Sequence, residues 1–174
     1  MPNPIVTGKT IASKALAALS DHAFDNVAGH CQMYARQVAE AVGGSVGAAM
    51  DAHRAGSALA TMQNFQPTQY NVWENIGSNN DAPDLGFLQP GDFLYKGTAT
   101  SGPYGHVGIY VGPYKLQGQA LAPCVAENSS FHINPDHMGD ASPGGAKGLR
   151  TLSAFGPFEM VVRLTMTSAQ ADAS

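Results

Sequence analysis

The chain reads as an α+β domain, with N-terminal helices packed on a small antiparallel β-sheet. Helical apolar spacing is confined to the first 62 residues, and after residue 90 it gives way to short alternating runs of strand type. Most of the 20 glycines and 11 prolines also fall after residue 77, where turns between strands need them. A length of 174 residues suits one domain. Residues 1–174 are therefore expected to form a single unit, with a core over about 8–166 and a frayed tail at 167–174.

The first helix is expected over residues 9–21, where Ile11, Ala15, Leu16 and Leu19 recur at helical spacing and Thr7 stands ready as a cap. A second helix begins at Cys31. In CQMYARQVAEAV, Cys31, Tyr34, Ala35, Val38 and Val42 form one stripe, Gln32, Arg36 and Glu40 lie on the other side, and Gly43-Gly44 is the stop. A third helix is expected from about Val46 to Met62, interrupted by Gly56. Residues 64–90 scatter Phe65, Tyr70 and Trp73 among Asn, Pro, Gln and Gly, which predicts a long surface segment of the kind that walls a site. Four strands follow, in DFLYK, GHVGIYVG, QALAPCVAEN and FEMVVRLTM, with residues 132–148 as a loop between the last two.

Charge narrows the function classes. Nine Lys and Arg against thirteen Asp and Glu give a net charge of -4, and no basic cluster of the kind that tracks phosphates is present, so nucleic acid is not an expected partner. The N-terminus lacks the basic and apolar regions of a signal peptide, and no apolar run is long enough to span a bilayer. The expectation is a soluble protein without a membrane partner. Two cysteines are too few for a disulfide scaffold, which turns attention to a thiol with a chemical task.

Cys31 stands at a helix start, where unpaired backbone N–H groups and the helix dipole favour a thiolate. Its stripe faces inward, so the same helix that buries Tyr34 and Val38 aims the thiol at the sheet; a buried structural cysteine is the plain alternative. In GHVGIYVG, alternation puts Val107, Ile109 and Val111 on one face and His106, Gly108 and Tyr110 on the other. Gly105 and Gly108 clear space around the imidazole for another element or a substrate, although a lone strand-end histidine more often bonds a nearby carbonyl. In CVAENSS, Glu127 and Asn128 fall on opposite faces, and an acceptor there would hold His106 in one tautomer; Glu127 is preferred, then Asn128.

The pieces CQMYARQV, LQPGDFLY, GHVGIYVG and VAENSS, in that order over residues 31–130, resemble the NlpC-type cell-wall peptidases and the related CHAP amidase or peptidase domains of the papain-like cysteine hydrolases. FEMVVRL resembles the closing strand of those domains. The resemblance implies a papain-like fold, a nucleophile at Cys31, a general base at His106 and an orienting group at Glu127 or Asn128. It implies a peptidoglycan or muropeptide substrate and no cofactor. NlpC-type enzymes usually have a histidine in the third position, whereas Glu followed by Asn leans toward the CHAP side. Gln32 and Met33 stand where small residues are common and would narrow or re-aim a substrate groove, and His30 stands where Asp is usual.

Trp73 and Tyr70 are candidates to stack on a sugar or peptide, with partly buried packing as the alternative. His132, His137, Asp136 and Asp140 match no metal spacing, so no metal is expected. His22, His30 and His53 read as solvent-facing or packing residues. The expected function is a cysteine amidase or endopeptidase cutting an amide in the stem peptide or between peptide and glycan. A groove that binds wall peptide without cutting it, as in a phage-particle domain, is the alternative. The absence of a signal peptide and of wall-binding repeats fits delivery by a phage or a contact-dependent secretion system, with an immunity, phage or secretion partner to match.

Overall fold

The computed structural model describes residues 7–21, 23–24, 31–41, 64–65, 71–77, 85–96, 105–116, 118–128, 147–158 and 160–167. Two eleven-residue helices, α1 (Gly8–Ala18) and α2 (Cys31–Ala41), come first. They are followed by β1 (Asn64–Phe65), β2 (Asn71–Gly77), a 3-10 turn (Leu85–Phe87), β3 (Phe93–Lys96), β4 (His106–Lys115), β5 (Leu121–Asn128), β6 (Lys147–Thr151), the short helix α3 (Leu152–Phe155) and β7 (Met160–Thr167). The strands form one antiparallel sheet in the order β1-β2-β7-β3-β4-β5-β6. The fold class is α+β, as expected.

Alternation along the strands gives the sheet two apolar faces. One carries Phe93, Tyr95, Val107, Ile109, Val111, Cys124, Ala126, Leu149 and Val162, and it buries the stripes of α1 (Ile11, Ala12, Ala15, Ala18) and α2 (Tyr34, Ala35, Val38). Each large side chain buried there contributes roughly 1.5–3 kcal/mol, far more than helix propensity supplies, so packing on this face holds both helices. The opposite face carries Leu94, Val125 and Val161, covered by Leu88, Leu152, Phe155 and Phe158.

Two polar contacts fix the helices. Thr7 caps α1 as expected, its hydroxyl accepting from the Thr10 N–H at 3.2 Å. The buried Tyr34 hydroxyl donates to Ala15 O at 2.7 Å and ties α2 to α1. Beyond the end of α1, Lys147 of β6 extends its ammonium to Ala18 O, Asp21 O and Phe24 O at 2.9, 2.6 and 3.0 Å. A buried lysine thus joins carbonyls at the end of α1 and in the turn after it, where Ala18 O and Asp21 O also accept from the Asp21 and Phe24 N–H groups.

The LQPGD turn is a clasp. Asp92 is buried, its carboxylate takes the Gln89 N–H at 2.8 Å, and Arg163 of β7 grips it through Nε and Nη2, both at 2.8 Å. Arg163 Nη2 also donates to Phe87 O at 2.7 Å, so one guanidinium joins the turn to the middle of the sheet. Gly91 has φ +98°, and a Cβ there would lie 2.4 Å from Gly8 O, so glycine is required both for the turn and for the start of α1 to pass beside it.

Residues 64–90, expected to form a surface segment without regular structure, instead supply β1, β2 and the 3-10 turn. The polar composition of NVWENIG is no obstacle, because β7 pairs with its backbone along the whole strand. The sheet is therefore larger than the small one expected. Lys147 and Gly148, expected at the end of a loop, open β6 by pairing with Asn128 and Glu127. Thr167, expected in the tail, pairs with Asn71. The helix expected from about Val46 to Met62, the loop residues 132–146 and the tail 168–174 lie outside the described residues.

Candidate active site

His106 is the first residue of β4 and only 9% exposed. Its cross-strand neighbour on β3 is Lys96, and Gly108, two residues on, lies opposite Glu127 of β5. The pleat therefore puts Lys96, His106 and Glu127 on one face. The imidazole Nε2 lies 2.6 Å from Glu127 Oε2, and the carboxyl group is 0% exposed. Because the carboxylate accepts, Nε2 carries the proton in this bond, which leaves Nδ1 for a second partner.

Cys31, the first residue of α2 and 7% exposed, is close enough to the imidazole to act on its titration. Its thiol is free. Burial works to lower the His106 pKa, but hydrogen bonds to Cys31 and Glu127 and the charges of both outweigh it and raise the pKa to about 9. The chain thus brings together, from a helix start and two adjacent strands, three side chains that are 75 and 21 residues apart in sequence.

Around this row lies a second set of groups that sequence reasoning missed. Arg150 of β6, 8% exposed, pairs with Glu127 through Nε to Oε1 at 2.7 Å, and its Nη2 donates to Oε2 at 3.1 Å. Phe155 of α3 places its ring 5.6 Å from the His106 ring at a tilt of 37°. The guanidinium carbon of Arg150 sits 5.3 Å from the Phe155 centroid and the Lys96 ammonium 4.2 Å from it. Lys96 also donates to Phe155 O, and its pKa is lowered by burial and then by Arg150. Gly108 makes this arrangement possible. A Cβ there would lie 2.9 Å from Phe155 Cε2 and 2.4 Å from Val125 Cγ1, so the element for which glycine clears space is α3.

The other sequence candidates are placed differently. Asn128 is buried on the opposite face of β5, across from Lys147, whose ammonium points to α1. Of the two neighbouring residues proposed as third member, Glu127 is the one bonded to the imidazole. Cys124 lies in the middle of β5 with its thiol toward Ala122 O at 3.3 Å, and burial raises its pKa. Trp73 is on β2, separated from β4 by β7 and β3. Tyr70, the side chain of Gln32 and the His132 to Asp140 segment lie outside the described residues. Among the described residues, no group of three or more His, Cys, Asp and Glu side chains is arranged to hold a metal ion. Likewise, no helix among them is long and apolar enough to cross a membrane.

A signal for Arg150 exists in the sequence, though a faint one. In a chain with nine Lys and Arg, the stretch KGLRT holds two of them within four residues, on opposite sides of a period-2 pattern. Chemically, the row can pass a proton between sulfur and nitrogen while a buried carboxylate compensates the imidazolium, which is what acyl transfer through a thiol requires. Comparison with protein-family models, with curated proteins and with solved structures finds no match to this chain.

Proposed function

We propose that this chain is a papain-like cysteine hydrolase that cuts an amide bond of peptidoglycan, in the stem peptide or between peptide and glycan. The observation that carries the reading is a single imidazole bonded to a buried carboxylate and close enough to a helix-start thiol for both to raise its pKa. The substrate class rests on the order of the motifs CQMYARQV, LQPGDFLY, GHVGIYVG and VAENSS.

In this mechanism Cys31 gives its proton to His106 Nδ1 and its sulfur attacks the amide carbonyl carbon. Glu127 stabilises the resulting imidazolium through Nε2. As the tetrahedral intermediate collapses, His106 returns the proton to the leaving amine, and a thioester to Cys31 remains. A water molecule then loses a proton to His106 and attacks the thioester, which releases the carboxylic acid and restores the thiol. An imidazole with a raised pKa favours the charge-separated pair from which attack begins.

The test is digestion of purified sacculi by the reduced protein and by Cys31→Ser, with the masses of released fragments identifying the bond. Fragments released by the wild type alone support the reading. Binding to sacculi without release would overturn it in favour of a non-catalytic wall-binding domain.

A further inference from the structure

We infer that Arg150 is a positioning residue of this site, holding Glu127 charged and aimed so that the carboxylate stays on the imidazole of His106. The inference rests on the reading of Cys31 and His106 as a working pair. A carboxylate with 0% exposure is costly to bury, several kcal/mol when uncompensated. His106 compensates it only while protonated, and the proposed cycle takes that proton away. Arg150 keeps its charge throughout. Its Nη2 donates to Oε2 and its Nε lies 2.7 Å from Oε1, so the guanidinium rests on both carboxylate oxygens, with Oε2 directed at Nε2. The guanidinium is itself held against Phe155, which packs beside the imidazole, so both ends of the contact share one rigid support.

Among the described residues, the ionisable groups around His106 are Cys31 on α2, Lys96 on β3, Glu127 on β5 and Arg150 on β6, with Tyr34 on α2 close enough to Glu127 to feel its charge. Lys96 and Arg150 are cations, and a bare cation near an imidazole disfavours its charged form. The two possible roles of Arg150 therefore differ in sign. If it were only a neighbouring charge, its removal would raise the His106 pKa. If it positions Glu127, its removal frees the buried carboxylate to take a proton or swing away, and desolvation then drives the His106 pKa down.

The experiment is an NMR titration of the His106 ring nitrogens in the full chain, for wild type, Arg150→Lys, Arg150→Gln, Glu127→Gln and Glu127→Gln/Arg150→Gln. The proposal expects Arg150→Gln to lower the pKa by more than one unit, close to the effect of Glu127→Gln, and Arg150→Lys to lower it part of the way. The double variant should match Glu127→Gln, because Arg150 acts through that carboxylate. An unchanged or raised pKa in Arg150→Gln overturns the proposal and leaves the Cys31–His106 pair standing. A wild-type imidazole titrating near 6.5, with Cys31 alkylation insensitive to it, overturns the pair and the proposal together. If Arg150→Gln does not fold by circular dichroism, Arg150→Lys decides: a fall in the pKa supports the role of the two-pronged contact, and an unchanged value overturns it.

Discussion

Lys147→Met tests whether the clasp between β6 and the end of α1 is worth what its geometry indicates. Methionine nearly matches the length and volume of lysine, so the substitution removes the charge and three hydrogen bonds while leaving the packing of the stem. Bonds of 2.6, 2.9 and 3.0 Å from an ammonium contribute about 1.5–3 kcal/mol each. Against that stands the cost of burying the charge, also several kcal/mol, which the variant no longer bears. Asp21 is exposed and Phe24 partly so, which lets water replace part of the loss, whereas Ala18 is fully buried. The balance is a destabilisation of about 2–4 kcal/mol, or a Tm lower by about 4–16 °C in a chain of this size. Urea unfolding followed by circular dichroism measures it, with an unchanged slope showing that the same surface is exposed. A loss below about 0.5 kcal/mol, or a gain, would refute the reasoning and mean that solvent serves these carbonyls as well as lysine does.

Limited alkylation near neutral pH should label Cys31 before Cys124, since Cys31 lies close enough to His106 to raise its pKa and burial raises the Cys124 pKa; peptide mapping checks it. Sacculus turnover should survive in part in Glu127→Gln, fall further in Glu127→Ala and be reduced least in Asn128→Ala, which lies on the other face of β5. A crippling Asn128→Ala beside a nearly silent Glu127→Ala would contradict the placement of these side chains. Because the folded His106 pKa of about 9 exceeds its ordinary 6.5, its contribution is fully present below pH 6.5 and is lost as pH rises through about 9. Unfolding free energies at pH 6 and pH 10 should therefore converge when wild type and His106→Gln are compared, the wild type losing on the order of 3 kcal/mol more over that range.

The elements that bear Cys31 and His106 were legible because local rules decide them. Helical spacing after Cys31 and the alternation in GHVGIYVG each fix which side chains face inward. The same parity argument put Glu127 and Asn128 on opposite faces, since a period of two admits only one of two neighbours to a face, and the resemblance of VAENSS to a Glu-Asn pair chose between them. What escaped was decided by partners distant in sequence. NVWENIG has no strong strand composition and becomes β2 through pairing with β7. Lys147 and Arg150 are cations in a five-residue strand, and nothing local foretells that one ends on helix carbonyls and the other on a buried carboxylate. Phe155 had no periodic context to mark it, and its place beside the imidazole depends on the space left at Gly108.

The position of β7 governs the order in which the molecule can assemble. It is the last of the described strands in chain order, yet it lies between β2 and β3 and pairs with both. A growing polypeptide emerging at about 5–20 residues per second thus holds the hairpin partners β3, β4, β5 and β6 for seconds before the strand that joins them to β2 has been synthesised. During that interval β2 and β3 each present an unpaired edge open to wrong partners. Closure finally requires contacts as distant as that between Asn71 and Thr167, 96 residues apart, and topologies dominated by such distant pairings fold slowly, in milliseconds to seconds. His106 and Glu127 sit on strands that meet early, so their alignment and the completion of the sheet are separate events in the life of the chain.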